Sequence, residues 1–155
     1  MRKDKMNKKT ISTILLIIFL LTIILIISNI FLQDNNNLEN QSGTLTLKNK
    51  TVSYDNCGKC VKVIDGNTIQ VYGIGAVQLS QIDLKDSDSA KKFVEEKCLG
   101  KTVYLNIDNE TPKDKYERTL AIVYTDSEDI NQELLEKNLA EIKYYPPSEF
   151  EKGKV

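Results

Sequence analysis

The feature that most constrains this chain is a long uncharged run near its N-terminus, ISTILLIIFLLTIILIISNIFL, from Ile11 to Leu32. At about 1.5 Å per residue, the run makes a helix of roughly 33 Å, which is long enough to cross a bilayer core. The alternative is a cleaved signal peptide, whose apolar core usually has about 7–15 residues and ends in small residues. The greater length of this run and its bulky end favour a retained transmembrane anchor over a cleaved signal.

The charges on either side of this run predict its orientation. Residues 1–10 carry five basic side chains and one acidic side chain. The positive-inside rule therefore predicts a cytoplasmic tail at residues 1–10, a transmembrane helix at residues 11–32 and an extracytoplasmic remainder. Without that tail, 16 basic residues stand against 21 acidic ones, a net charge of −5. Such a charge is a poor electrostatic match for a phosphate backbone.

A polar, asparagine-rich segment, QDNNNLENQSGTLTLKNKTVSYDN, follows the apolar run. Its composition predicts a linker over residues 33–58, with room for a short strand near Thr44–Leu47. The folded domain is then predicted over residues 59–150, followed by a tail at residues 151–155.

Regular hydrophobic patterns begin at Cys60. Apolar residues alternate in VKVIDGNTIQV, AVQL and TVYLNID, which predicts half-buried strands, and RTLAIVYTD predicts a strand buried on both faces. SDSAKKFVEEKCLGK and SEDINQELLEKNLAEI have helical spacing, with Gly100 and Asn138 placed to end the helices. Three strands, a helix, two strands and a helix predict a mainly β (α+β) fold. The expected architecture is a five-stranded OB-fold Greek-key barrel with two helices, preceded by one N-terminal transmembrane helix.

The chain contains three cysteines, Cys57, Cys60 and Cys98, and no histidine. A structural zinc ion needs four ligands, so this composition disfavours a zinc site. A redox Cys-x-x-Cys pair normally opens a helix, whereas Cys57 and Cys60 precede a strand. In an exported domain, a disulfide is the natural interpretation.

Five segments carry a resemblance to a known family: VKVIDGNTIQV, VQLSQIDLKD, KCLGKTVYLNID, DKYERTLAIVY and INQELLEKNLAEI. They follow one another as in the staphylococcal nuclease-like (thermonuclease) family, and the chain resembles its short prokaryotic members from about Cys60 to Phe150. The resemblance implies hydrolysis of phosphodiester bonds with a bound calcium ion. Carboxylates would hold the ion, another carboxylate would activate water, and two arginines would neutralise the phosphate.

The resemblance assigns the metal and water positions to three residues, two of which depart from the family pattern. The second Asp of the family's Asp-Gly-Asp-Thr turn, a calcium ligand, is Asn67 here, and the amide brings no negative charge. The other metal-binding aspartate is kept as Asp83. The water-activating glutamate is the shorter Asp86, and misplacing a catalytic group by about 1 Å can cost roughly 10² in rate.

Of the family's two arginine positions, one is kept in this chain and the other is replaced. Arg118 is kept, but Gln78 replaces the other arginine, and Glu117 replaces the family's glycine next to Arg118. A single arginine acting on a phosphoryl transition state can be worth about 10³–10⁵ in rate, and glutamine brings neither its charge nor its paired donors. Arg118 and Asp86 are therefore expected to be vestigial catalytic residues. The alternative role of Asp83 and Arg118 is a fold-stabilising ion pair or hydrogen bonds at strand ends.

The resemblance also implies a disulfide between Cys60 and Cys98, because some short prokaryotic members carry cysteine at both positions. Cys57 would then lie outside the pair or serve as the alternative partner.

These observations predict a single-pass cell-membrane protein that presents a degenerate nuclease-like barrel outside the cytoplasm. The expected function is binding or interaction at the cell surface, with calcium binding weak or lost, nucleic-acid binding weak and the surface partner unknown. A weak calcium-dependent phosphodiesterase acting on DNA or RNA is the alternative. A purely structural surface domain is the third possibility.

Overall fold

The computed structural model describes residues 7–36, 42–48 and 50–150, with the side chains of 8–10 and 30–36 excluded. The chain divides into two compact units, Met1–Asn37 and Leu38–Val155. The predicted tail at residues 151–155 and most of the predicted N-terminal tail lie outside the described residues.

The first unit contains a single described helix, α1 (Lys8–Asn36), which includes the predicted transmembrane segment. Its stretch Ile11–Asn29 has a mean hydropathy of 3.0 and is long and apolar enough, by length and composition, to cross a membrane.

A closed five-stranded barrel is the centre of the second unit. In barrel order, its strands are β3 (Asn56–Asp65), β4 (Thr68–Val71), β5 (Gly75–Leu79), β8 (Thr119–Tyr124) and β7 (Thr102–Ile107). β7 closes the barrel against β3, and all pairs are antiparallel except the parallel pair of β5 and β8. Two small sheets flank the barrel, one formed by β1 (Gly43–Leu47) and β2 (Lys50–Tyr54), the other by β6 (Ile82–Leu84) and β9 (Ala140–Ile142). The predicted five-stranded barrel is confirmed.

Two helices pack on the barrel at the predicted places in the chain, α2 (Ser87–Cys98) after the third barrel strand and α3 (Ile130–Glu136) after the fifth. Gly100 and Asn138 follow them with φ angles of 76° and 58°, the left-handed conformation that ends many helices.

One continuous hydrophobic core fills the barrel and extends beneath α2 and α3. Its largest fully buried apolar side chains are Ile69, Leu79, Ile82, Leu105, Ile130 and Leu134. All members of this core, and of a smaller second cluster, lie between Leu45 and Phe150. The segment 38–155 therefore contains its own core and is suitable for study without α1.

The structure does not support the predicted disulfide between Cys60 and Cys98, since it holds both residues as thiols within the main core. Both side chains are fully buried and pack as small apolar groups. Burial raises the pKa of Cys60, and burial together with the neighbouring Cys60 raises the pKa of Cys98 to about 12.

The predicted linker at residues 33–58 also needs correction, because much of it is folded. Residues 33–36 end α1, while Gly43–Leu47 and Lys50–Tyr54 form the hairpin and β3 begins at Asn56. Leu47 and Val52 of the hairpin are buried in the second cluster against Ile122, Tyr124 and Phe150. This packing is non-local, so the polar, asparagine-rich composition gave little sign of it.

Candidate functional site

A cleft of about 570 Å³ lies at one end of the barrel, at the predicted arginine positions. Its walls come from the end of β5 and the turn after it, the loop before β8, and the segment after β9. The residues lining it are Gln78, Leu79, Ser80, Gln81, Asp114, Lys115, Tyr116, Arg118, Leu120, Tyr145 and Pro146.

Arg118 is held in this cleft by Asp114. The Arg118 Nη2 and Nε atoms lie 2.7 and 2.8 Å from Asp114 Oδ2. Nη1 lies 3.4 Å from Thr68 Oγ1, at the start of β4. Burial alone would raise the pKa of Asp114, but the hydrogen bonds from the Arg118 side chain and from the backbone of the loop keep that pKa below its usual value. The ion pair thus fixes the guanidinium while leaving it 27% exposed.

The loop that carries Arg118 turns through Glu117, the residue that replaces the family's glycine. Asp114 Oδ1 accepts the backbone N–H groups of Tyr116 and Arg118, which closes the turn. Glu117 has a φ of 62°, in the left-handed region that favours glycine. Its carboxylate lies 3.2 Å from Lys113 Nζ. Asp114 therefore closes this loop, with local backbone strain at Glu117.

Gln78 lines the same cleft, so the structure brings both arginine positions together. It pairs in register with Thr68 on one side and with Leu120 on the other. Its neutral amide leaves Arg118 and Lys115 as the two cationic side chains among the residues that line the cleft.

Asn67 lies in the turn between β3 and β4, where its backbone N–H donates to Asp65 Oδ1 at 2.9 Å. Its amide oxygen accepts a hydrogen bond from Thr68 Oγ1 at 3.3 Å. The turn packs closely against α2, because a Cβ on Gly66 would lie 2.6 Å from the Ala90 Cβ. Close packing therefore requires glycine at position 66.

Asp83 forms an ion pair, as in its alternative role, with a partner that the sequence did not identify. The residue lies on β6, and its Oδ2 is 2.6 Å from Lys143 Nζ, just beyond β9. The Lys143 hydrogen bond lowers the pKa of Asp83, and the same bond raises the pKa of Lys143. No local sequence pattern predicts this pair, because the two residues are 60 positions apart.

Asp86 serves as the N-cap of α2. Its Oδ1 accepts the Ser89 backbone N–H at 3.0 Å, and its Oδ2 accepts the Ser89 hydroxyl at 2.7 Å. The Ser89 hydroxyl and backbone N–H both lower the pKa of Asp86. Both carboxylate oxygens therefore have a structural use at the helix terminus.

The side chains present do not fit a calcium ion as they are arranged. Calcium takes about 6–8 oxygen ligands, usually including several carboxylates. Asn67 offers a neutral amide, Asp83 is paired with Lys143, and Asp86 caps a helix. Across the described ranges, no group of three or more His, Cys, Asp or Glu side chains is suited to hold a metal ion. None of these three residues lines the cleft that contains Arg118.

Sequence reasoning also missed two residues of the cleft wall, Gln81 and Tyr145. Gln81 is buried with a φ of 61°, and its Oε1 accepts the Tyr145 backbone N–H at 2.8 Å. A glutamine in this conformation has no local sequence signal. Tyr145 precedes the Pro146-Pro147 pair, and that position in YYPPSEF was the available hint.

Comparison with known proteins agrees with the fold. Residues 68–154 match the family model described as staphylococcal nuclease homologue. A thermonuclease from Staphylococcus intermedius is 34% identical over 102 residues, which cover 57% of this chain and 60% of that protein. The chain thus spans less than two thirds of the length of this relative. Because the family model matches more than half of the chain, the protein belongs to the staphylococcal nuclease homologue family.

Proposed function

We propose that this protein is a membrane-anchored nuclease-like domain that has lost efficient calcium-dependent cleavage and acts as a binding module outside the cytoplasm. The main observation behind this proposal is that the residues at the family's calcium and water positions have other roles in this structure. Asp83 is neutralised by Lys143, Asp86 caps α2, and position 67 holds an uncharged amide.

The cleft supports binding as the remaining activity. Arg118 and Lys115 place two positive charges beside one carboxylate, that of Asp114, and Tyr116 is 67% exposed. The Arg118 guanidinium lies 5.4 Å from the Tyr116 ring centre, and the Lys115 ammonium lies 5.0 Å from it. A cation beside an exposed aromatic ring is the combination that binds the phosphate and base of a single strand. The net charge of −5 outside residues 1–32 limits this binding to low ionic strength.

The length and apolar composition of α1, together with its flanking charges, support the proposed anchor. The stretch Ile11–Asn29 measures about 28 Å as a helix, and the five basic residues before it favour a cytoplasmic N-terminus. Protease treatment of intact cells should remove the folded domain and leave a membrane-bound fragment. A domain recovered in the medium, with its N-terminus after residue 32, would instead indicate a cleaved signal.

A labelled single-stranded oligonucleotide, incubated with segment 38–155 and calcium at low salt, tests the binding function. We expect binding by fluorescence anisotropy, equal affinity in calcium and in chelator, and recovery of the strand intact. Rapid degradation of the strand in calcium would contradict the proposal. Absence of binding at low salt would favour a purely structural domain.

The second candidate function is a weak calcium-dependent phosphodiesterase, and the observation that favours it is the retained, ordered Arg118. Asp83, Asn67 and Asp86 would then surround the ion. This function requires a slow cleavage that chelator abolishes and that Arg118→Ala removes.

A further inference from the structure

We infer that the ammonium group of Lys143 acts as a built-in counter-ion for Asp83 and keeps divalent cations from this carboxylate. The inference rests on the proposed function, in which Asp83 no longer binds calcium. It names Lys143 as the side chain that neutralises Asp83 in place of the metal ion.

The position of Lys143 is set by the small sheet of β6 and β9. Ile82 pairs with Ile142, and the Lys143 backbone N–H donates to the Gln81 carbonyl oxygen at 2.9 Å. This extends the pairing by one step beyond β9. The Lys143 side chain then reaches along the sheet, and its Nζ lies 2.6 Å from Asp83 Oδ2.

The segment after β9 provides a second contact for the ammonium. Lys143 Nζ lies 5.5 Å from the centre of the Tyr145 ring. The Tyr145 backbone N–H is in turn bonded to the side chain of Gln81. A ring at this distance adds a favourable electrostatic contact for the cation. Lys143 therefore links Asp83 to Tyr145, which lines the cleft.

The ion pair is exposed enough to act on ion binding without determining the fold. The side chains of Lys143 and Asp83 are 50% and 45% exposed, and exposed pairs contribute little to stability. A divalent ion at Asp83 would have to displace the ammonium or lie within a few ångströms of it, and the repulsion grows with the charge of the ion. Lys143 therefore weakens the binding of a divalent cation at Asp83 and has little effect on the stability of the fold.

The test compares terbium(III) affinity in variants of segment 38–155, measured by tyrosine-sensitised luminescence with calcium as competitor. Asn67→Asp supplies a second carboxylate, and Lys143→Met removes the ammonium in that background. We expect the double variant to bind terbium at least tenfold more tightly than Asn67→Asp alone. The control is Lys113→Met in the same background, since Lys113 forms an exposed ion pair with Glu117 at 3.2 Å. It should leave the affinity unchanged.

Equal affinities of Asn67→Asp with and without Lys143→Met would overturn the inference, as would an equal gain from Lys113→Met. Melting temperatures of the variants verify that each is folded. The readout is metal affinity and not cleavage, so the result is independent of whether the wild type proves to be a nuclease. Cleavage by the wild type would refute the proposed function, whereas unequal affinities would still support the role of Lys143.

Discussion

Replacing Arg118 with alanine removes the guanidinium on which the proposed binding depends, and its effect can be worked out from the geometry. Arginine has five N–H donors. Asp114 takes one from Nε and one from Nη2, and Thr68 takes one from Nη1. Two donors, one on each terminal nitrogen, remain for a ligand phosphate. This number suffices for a paired contact with two phosphate oxygens.

A hydrogen bond involving a charged group contributes about 1.5–3 kcal/mol, but the Asp114 carboxylate already neutralises part of this charge. The expected loss for Arg118→Ala is about 2–3 kcal/mol, or roughly 30- to 160-fold in Kd. Losing one phosphate contact to a single strand should also reduce the slope of log K against log salt by about 0.7.

Fluorescence anisotropy of a labelled single strand on segment 38–155, repeated over a range of salt concentrations, measures both quantities. Lys113→Ala is the matched control, because Lys113 is a nearby exposed cation that does not line the cleft. Affinity of Arg118→Ala within twofold of the wild type, with an unchanged salt slope, would refute the assignment of Arg118 to the ligand.

Three further substitutions test the structural account of the site. Asn131→Ala should lower the free energy of unfolding by about 2–5 kcal/mol, because the buried amide joins the Val123 N–H to the Ser80 carbonyl and each group would lose its partner; urea unfolding measures this, and a loss below 1 kcal/mol would contradict it. Glu117→Gly should raise the free energy of unfolding by about 1 kcal/mol by relieving the left-handed backbone; a lower melting temperature would argue against strain. The pKa of Asp114 is lower in the folded state than in the unfolded state, so its stabilisation is present above a pH of about 4 and disappears as the pH falls through the folded pKa. Asp114→Asn should therefore flatten the loss of stability between neutral and acidic pH, and an unchanged pH profile would exclude this contribution.

The barrel strands and helices could be predicted because their patterns are local. Alternation over 61–71 and the doubly apolar RTLAIVY correspond to β3, β4 and the buried β8. Helical spacing, with Gly100 and Asn138 as stops, identified α2 and α3. In each case the signal needed no knowledge of distant residues.

The parts that escaped prediction depend on contacts between distant positions. The hairpin β1–β2 is stabilised by packing against β8 and Phe150. Strands β6 and β9 have three residues each, which is too short to show an alternating hydrophobic pattern. The burial of Cys60 and Cys98 in one core likewise depends on distant parts of the chain, which cysteine spacing does not show. Position 83 was identified from the sequence, but its partner Lys143 was not.

We propose that this protein has lost calcium-dependent cleavage and has retained a cleft that binds a ligand. The most direct measurement is the rate at which segment 38–155 cleaves a labelled single strand in calcium and in chelator, beside a variant with Asn67→Asp, Gln78→Arg and Asp86→Glu. We predict equal, background rates for the wild type in the two conditions, with any calcium-dependent activity confined to the variant. Rapid cleavage by the wild type that requires calcium would contradict the account.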